Sequence, residues 1–260
     1  EIGVNHEGDM SLAKDMIDAA VKSGVDIVKF QTFTADDLVT KNACKADYQN
    51  IGDDAESQYD MLKRLELSYD DHIMLKNYCD EKSIEFLSTP FSVNAVKLLS
   101  GLGLSRMKIS SGEIVNAPLL VEAARTGLPI IMSSGMGTLE DLRTALSFLA
   151  YGYLNAEGIP SGDLSEKAFQ SDAGQKVLKD KVTLLHCTTS YPTPLNDVNL
   201  RAMDTISNAF GLPVGYSDHT EGIKTPLLAI ARGATVIEKH FTTDKTLKGP
   251  DQQASSEPPV

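Results

Sequence analysis

The sequence contains no tryptophan and only three cysteines, Cys44, Cys79 and Cys187. The cysteines are odd in number and show no C-x-x-C spacing, which argues against a disulfide framework and favours a reducing compartment. Each cysteine is therefore expected to be a small buried apolar residue. On this basis we expect a cytoplasmic protein.

Positive charge and long apolar runs are also scarce. Lysine and arginine total 24 against 36 aspartate and glutamate residues, which gives a formal net charge of −12. Because no run is rich in lysine or arginine, nucleic acid and anionic membranes are disfavoured as partners. No apolar run approaches the roughly 20 residues of a membrane span, and no secretory signal pattern opens the sequence. An anionic substrate would have to be bound by individually placed cations.

A glycine-rich dinucleotide fingerprint is missing as well, because no G-x-G-x-x-G follows a predicted strand. This absence disfavours an open doubly wound sheet. Instead, short apolar runs alternate with stretches of helical periodicity along the whole chain. The predicted strands are residues 2–5, 25–31, 84–88, 106–110, 129–133, 182–187, 214–216 and 235–238. Eight strands with helical connections predict an α/β protein with a (β/α)8 TIM barrel, in a single domain over residues 1–260.

Helical spacing between these strands predicts helices at residues 12–22, 57–65, 69–82, 93–99, 117–125 and 139–149. Residues 32–56 form a long polar segment, and residues 151–181, rich in glycine, serine, aspartate and glutamate, are predicted to be an excursion on the surface. The chain opens inside a predicted strand at Glu1 and stops at Val260, where a further helix is expected to begin. We therefore expect part of a longer protein, with the barrel truncated near the start of its last helix.

Polar side chains gather where the predicted strands end, which is the face where a barrel builds its active site. Lys29 and Lys108 emerge directly from apolar strands, where an ammonium without a counter-charge would be costly. Hydroxyl side chains stand at the ends of the same and other strands, namely Thr89, Ser111, Ser133, Thr189 and Ser217. Gly112 and Gly135 would let the backbone approach a ligand closely. Lysines, hydroxyls and loop N–H groups together predict a site for phosphate or carboxylate.

Two histidines, His219 and His240, end two neighbouring predicted strands in polar surroundings. Imidazole is the commonest metal ligand near neutral pH, so the pair predicts a shared metal ion. With the carboxylates Glu1 and Glu113 on the same rim, the pattern favours a metal-assisted reaction of an anionic substrate. The turn ending in Asp251 either aims this carboxylate over the rim or is a solvated tail turn, and spacing alone does not decide between the two.

Nine segments carry a family resemblance, and they occur in order along nearly the whole chain. They are EIGVNHEG from Glu1, VKFQTF from Val28, STPF from Ser88, KISSGE from Lys108, MSSGM from Met132, LLHCTTSYPTP from Leu184, GYSDHT from Gly215, EKHFT from Glu238 and GPD from Gly249. Together they resemble the sialic acid synthase family, whose enzymes condense phosphoenolpyruvate with an N-acylated hexosamine to give a nine-carbon 2-keto acid. The resemblance implies a barrel followed by a small antifreeze-like domain that this sequence lacks. It also implies a homodimer in which that domain lends an arginine to the partner's sugar site.

The resemblance also implies roles for individual residues. His219 and His240 would bind a divalent metal, typically Mn²⁺, with Mg²⁺ or Co²⁺ as alternatives. The residues expected around phosphoenolpyruvate are Lys29, Thr89, Lys108, Ser111, Ser133, Thr189 and Ser217. Those expected around the amino sugar are Gln31, Glu113, Tyr191 and Asp251. Glu1 or Glu113 would act as acid or base, and the family pattern is broken by Thr189, where some members have asparagine, and by Gln252, where many have histidine.

The expected chemistry is attack by carbon 3 of phosphoenolpyruvate on the sugar aldehyde, with loss of phosphate by C–O cleavage. The sugar could be N-acetylmannosamine, a 2,4-diacetamido hexose of the legionaminic type or its pseudaminic isomer, and HCTTSYPTP is closer to the first two. One alternative is an eight-carbon keto acid synthase, which would need a second basic cluster for a sugar phosphate. Another is a non-catalytic sugar-binding relative, but such a protein would be expected to have lost some of the lysines and histidines named above.

Overall fold

The computed structural model of the protein describes residues 1–45, 56–154, 158 and 160–258. The chain divides into two compact units, each with its own packing. Unit 1 comprises residues 1–98 and 239–260, and unit 2 comprises residues 99–238. No helix in the described part of the chain is long and apolar enough to cross a membrane.

Unit 1 is assembled from short helices around two strands. In chain order the elements are α1 (Met10–Lys22), β1 (Ile27–Thr32), α2 (Ala35–Leu38), α3 (Gln58–Leu65), α4 (Tyr69–Glu81), β2 (Glu85–Pro90) and the first part of α5 (Val93–Gly101). Helix α1 begins where the Asp9 carboxylate accepts hydrogen bonds from the N–H groups of Ser11 and Leu12. It buries residues at helical spacing, including Ala13, Met16 and Ile17.

Strands β1 and β2 pair in parallel, so their C-terminal ends meet at one edge. The register places Gln31 opposite Thr89 and Lys29 opposite Leu87. The polar residues predicted at these two strand ends are therefore neighbours.

The strand predicted at residues 2–5 is wrong. Only Gly3 forms a bridge, to Phe30. The N–H of Asn5 donates to the carbonyl of Ile2, and the N–H of Glu7 donates to that of Val4, so the backbone turns instead of extending. The apolar residues Ile2 and Val4 are buried nonetheless, which is why the stretch resembles a strand in sequence.

Unit 2 contains a five-stranded sheet in the order β3-β4-β5-β6-β7. Its elements are β3 (Met107–Ile109), α6 (Ala117–Arg125), β4 (Ile130–Ser133), α7 (Leu139–Leu154), α8 (Gly162–Gln170), α9 (Asp172–Lys181), β5 (Val182–Cys187), α10 (Arg201–Phe210), β6 (Val214–Asp218), α11 (Lys224–Ala231) and β7 (Ile237–Lys239). The pairs from β3 to β6 are parallel. This arrangement confirms the α/β class with helices joining parallel strands, but the described residues do not confirm an eight-stranded barrel.

The surface excursion predicted at 151–181 is helical in its described part. Helix α7 continues to Leu154, and α8 and α9 follow, starting at the side-chain caps of Ser161 and Ser171. Their apolar residues are sparse, but Ala168 and Leu178 are buried as the two helices pack against α7. Residues 155–157 and 159 lie outside the described residues.

Helices α10 and α11 have no counterpart among the predictions. In α10, Met203 and Ile206 are buried three residues apart, and in α11 only Thr225, Pro226 and Ala229 are buried. The few buried positions of α11 give a weak periodic signal, whereas the apolar residues of α10 do recur at helical spacing and the prediction missed them. Of the polar stretch predicted at 32–56, the described part carries α2, and residues 46–55 lie outside the described residues. The helix expected to start near the end of the chain falls partly on residues 259 and 260, which also lie outside them.

Candidate active site

Each unit contains a polar cluster built around a buried lysine that lies within a strand. The Lys29 cluster of unit 1 comprises Glu1, Lys29, Thr89, His240 and Asp251. The Lys108 cluster of unit 2 comprises Lys108, Ser111, Ser133, Ser217 and Glu238. All of these residues except Glu238 were predicted from the sequence as site residues.

Lys29 lies in β1, and its side chain is almost fully buried. It forms an ion pair with the carboxylate of Glu1 and donates to the hydroxyl of Thr89 at 3.3 Å. Burial alone would raise the pKa of the Glu1 carboxyl, but the charges of His240 and Lys29 hold this pKa well below its ordinary value. Glu1 is therefore ionised at neutral pH.

His240 stands between two carboxylates of unit 1. Its Nε2 lies 3.6 Å from Glu1 Oε2, and its Nδ1 lies 3.9 Å from Asp251 Oδ2. Burial raises the pKa of Asp251, and the Glu1 carboxylate adds to this effect. The turn that ends at Asp251 thus brings this carboxylate close to His240, so the turn is not a solvated tail turn.

Gln31 belongs to the same region of unit 1. A Cβ added to Gly3 would lie 3.5 Å from Gln31 Nε2, from Glu1 Cγ and from His240 Cε1. The side chains of Gln31, Glu1 and His240 therefore all lie close to Gly3.

Lys108 in β3 has different partners. Its Nζ donates to Ser133 Oγ at 2.7 Å and to the carbonyl of Ile109 at 3.0 Å, and Glu238 Oε1 lies 3.7 Å away. The same Glu238 oxygen accepts a hydrogen bond from Ser217 Oγ at 2.8 Å. Glu238 thus connects the predicted anion-binding lysine with a predicted anion-binding hydroxyl.

Gly135 brings further predicted residues together in unit 2. Its N–H donates to Ser111 Oγ at 2.9 Å, and a Cβ added there would lie 2.5 Å from Thr189 Oγ1 and 2.9 Å from Cys187 Sγ. The lack of a side chain at Gly135 therefore lets Ser111, Cys187 and Thr189 approach its backbone closely, and the approach of a ligand there stays a prediction. At Gly112 a Cβ would come no closer than 4.0 Å to its nearest neighbour, Ser110 Oγ, so the protein leaves space at this position.

His219 and Tyr191 also lie in unit 2, and their ring centroids are 4.2 Å apart. His219 Nδ1 donates to the carbonyl of Thr188 at 2.6 Å, because a carbonyl can only accept. The neutral ring then carries its lone pair on Nε2, which is the orientation found in metal-binding histidines. Glu113 lies in the turn Ser111–Glu113, and its carboxylate accepts from Asn116 Nδ2 at 2.7 Å.

A complete metal centre is not formed by protein atoms alone. Among the described residues, no three histidine, cysteine, aspartate or glutamate side chains are grouped so as to hold a metal ion. The chemistry of the donors fits a divalent cation, since His240 is flanked by carboxylate oxygens and the Nδ1 hydrogen bond orients His219.

Sequence reasoning gave no role to two residues of these regions. Glu238 directly follows the apolar residues Val236 and Ile237, as Lys29 follows Ile27 and Val28, and this position in the sequence was the signal that could have identified it. Gln252 is fully buried, although its polar neighbours in sequence predict an exposed tail.

Comparison with known proteins identifies the family. The NeuB family model matches residues 16–259. The N,N'-diacetyllegionaminic acid synthase of Legionella pneumophila is 48% identical over 99% of this chain and 67% of its own length. The enzyme of the same name from Campylobacter jejuni is 46% identical over 99% of this chain and 71% of its own length.

Solved structures agree with the sequence comparison. The N-acetylneuraminic acid (sialic acid) synthetase of Leptospira borgpetersenii, solved in complex with citrate, superposes with a TM-score of 0.79 at 33% identity. The match covers 99% of this chain and 76% of that one. The resemblance to sialic acid synthases is thereby confirmed, as is the prediction of a synthase, and the chain belongs to the NeuB family.

Proposed function

We propose that the protein condenses phosphoenolpyruvate with a 2,4-diacetamido hexose to give a nine-carbon 2-keto sugar acid and inorganic phosphate. The observation that carries this proposal is a pair of buried lysines, each within a strand and hydrogen-bonded to a hydroxyl, in a chain where acidic residues outnumber basic ones. The choice of sugar is supported by the two diacetyllegionaminic acid synthases at 48% and 46% identity. N-acetylmannosamine is the second sugar to test.

In the proposed reaction, the Lys108 cluster binds the anionic groups of phosphoenolpyruvate. Lys108 supplies the charge, while Ser111, Ser133, Ser217 and the exposed Thr189 supply hydroxyl donors. Glu238 holds the Ser217 hydroxyl and balances part of the lysine charge until the substrate arrives. Lys29 and Thr89 supply a second cation and hydroxyl for the same substrate.

The amino sugar is assigned to Gln31, Glu113, Tyr191 and Asp251. Carbon 3 of phosphoenolpyruvate attacks the aldehyde carbon, and the aldehyde oxygen takes up a proton. Water adds to carbon 2, and the bond from that carbon to the phosphate oxygen breaks to release phosphate and the keto group. The opposite pKa shifts suit two carboxylates to different roles. Glu1 stays ionised and can accept a proton, whereas Asp251 retains its proton to higher pH and can donate one.

A divalent metal, proposed as Mn²⁺, has His219 and His240 as its expected ligands, and when bound it would polarise the sugar carbonyl as a Lewis acid. Glu1 and Asp251 would orient His240, because both carboxylates lie close to its ring. The closed eight-stranded barrel, the homodimer with an arginine from a partner's additional domain, and a cytoplasmic location stay predictions.

The proposal is tested by phosphate release from phosphoenolpyruvate in the presence of a panel of sugars and Mn²⁺. We expect the 2,4-diacetamido hexose to be used most efficiently, ahead of N-acetylmannosamine. A phosphorylated aldose belongs in the panel, since its preference would favour the eight-carbon alternative. Absence of turnover with every amino sugar would refute the proposal.

Isotope labelling tests the bond that breaks. With oxygen-18 in the bridging position of phosphoenolpyruvate, C–O cleavage transfers the label to inorganic phosphate. Label found in the sugar acid instead would contradict this step.

A further inference from the structure

Gln252 is a fully buried carboxamide immediately after the turn that carries Asp251. Its Nε2 donates to the carbonyl of Asn5 at 2.9 Å and to Glu7 Oε1 at 3.1 Å. Its Oε1 accepts from the hydroxyl of Thr242. Both amide hydrogens and the amide oxygen therefore have partners, as expected for a buried amide that contributes to stability.

A second set of hydrogen bonds holds the same turn from its backbone. Ser255 Oγ donates to the carbonyl of Asp251 at 2.6 Å and accepts from Asn5 Nδ2 at 2.8 Å. Asn5 Nδ2 also donates to the carbonyl of Phe241 at 2.9 Å. The turn is thus fastened to the N-terminal segment and to the segment that follows His240.

The packing under the turn leaves little room. A Cβ added to Gly249 would lie 2.5 Å from Glu7 Oε1 and 2.9 Å from Gln252 Cγ. A rearrangement of Gln252 would therefore have to move the backbone of the turn, and Asp251 is the adjacent residue. The Asp251 carboxylate lies only 3.9 Å from His240, so a small backbone shift would change this distance substantially.

We infer that Gln252 is a positioning residue, whose buried amide fixes the turn and thereby sets the place of Asp251 beside His240 on the amino-sugar side of the reaction. The expected effect on the KM of the amino sugar rests on the proposed function, whereas the expected fixing of the turn by Gln252 does not. Neutral histidine offers only one donor and one acceptor. It would leave at least one of the three partners of Gln252 without its hydrogen bond.

The test compares Gln252→His with Gln253→His in the full-length protein. Gln253 is the exposed neighbour and serves as the matched control. For Gln252→His we expect the KM for the amino sugar to rise about tenfold while the KM for phosphoenolpyruvate stays within about twofold, because only Asp251 is displaced. We also expect faster amide hydrogen exchange over residues 249–256. Gln253→His should change neither quantity.

Thr242→Val provides a second, nearly isosteric variant that removes the hydroxyl donating to Gln252. It should also raise the KM for the amino sugar and speed hydrogen exchange over residues 249–256, but by less than Gln252→His. If Gln252→His fails to fold, Thr242→Val provides the test. Unchanged hydrogen exchange and sugar KM in a folded variant would overturn the inference, as would equal rises in the KM of both substrates. If the wild-type protein showed no turnover, the proposed function would fail, and hydrogen exchange would still decide whether Gln252 fixes the turn.

Discussion

The two buried lysines, Lys29 in unit 1 and Lys108 in unit 2, have their charges compensated by different partners. Lys29 is in direct contact with the ionised carboxylate of Glu1. Lys108 donates to two neutral oxygens, of Ser133 and Ile109, and the Glu238 carboxylate stands farther off at 3.7 Å. Because a contacting carboxylate cancels much more of the field of an ammonium than a hydroxyl does, Lys108 should retain the stronger attraction for an incoming anion.

The largest effect is therefore expected for Lys108→Met. We predict a loss of more than about a hundredfold in kcat/KM for phosphoenolpyruvate, since a principal charge for the anion is removed. Steady-state assays of phosphate release measure it, with Lys167→Met, an exposed lysine of α8, as the control. A loss smaller than that of Lys29→Met would reverse the ranking of the two lysines.

Lys29→Met should cost less activity but more stability. We predict a loss of about tenfold to thirtyfold in kcat/KM. Glu1 would lose one of its counter-charges and keep His240, so the free energy of unfolding should fall, by less than the roughly 3 to 5 kcal/mol typical of a buried charge left with no partner. Chemical denaturation measures this, and adding Glu1→Gln should restore part of the stability. If the two substitutions were additive, the ion pair would not be the cause.

Gly135→Ala compared with Gly112→Ala tests the geometry of unit 2. A methyl group at position 135 would collide with Ser111 and Thr189, so we predict a rise of about tenfold in the KM for phosphoenolpyruvate. At position 112 there is space, and the KM should stay within about twofold. Equal effects of the two substitutions would show that the collision at Gly135 is relieved at little cost.

The last comparison concerns acid stability and takes a histidine from each unit. Burial, with a contribution from the nearby His72, lowers the pKa of His6 in unit 1 to about 4. The unfolded chain binds this proton from about pH 6.5 downward. The contribution of His6 to stability is therefore complete above about pH 6.5 and decreases as the pH falls toward 4, by on the order of 2 to 3 kcal/mol.

Denaturation of His6→Gln at pH 7 and pH 4.5 should show a shallower dependence on pH than the wild type. Burial also lowers the pKa of His186 in unit 2, so His186→Gln should act in the same direction. We expect the larger change from His6. Identical pH dependence in the wild type and His6→Gln would contradict the prediction.

Local periodicity predicted much of the secondary structure and most of the polar residues at the strand ends. The strand at 182–187 and the helix at 117–125 were predicted with the bounds observed, because each is a continuous apolar or amphipathic run with clear limits. Lys29 and Lys108 were identified because an ammonium emerging from an apolar strand requires a partner. The lysine partners themselves were harder to foresee, since Glu1 and Glu238 are distant in sequence from the lysines they approach.

The errors arose where tertiary contacts override local pattern. Residues 2–5 are apolar because they are buried, although their backbone turns and forms only one bridge. Gln252 lies in a polar stretch, and its burial depends on partners at positions 5, 7 and 242. No window of neighbouring residues contains that information.

Unit 1 is made of two segments separated by the whole of unit 2. The backbone of Glu1 forms hydrogen bonds with the backbones of Lys239 and Phe241. Unit 1 can therefore complete its folding only when the second segment packs against the first. Joining segments so distant in sequence carries a large loop-closure entropy and raises the contact order, which slows folding. Unit 2 is continuous and can fold earlier on the ribosome. Since His240 and Asp251 arrive with the second segment, the proposed amino-sugar side of unit 1 cannot form before that segment has been synthesised.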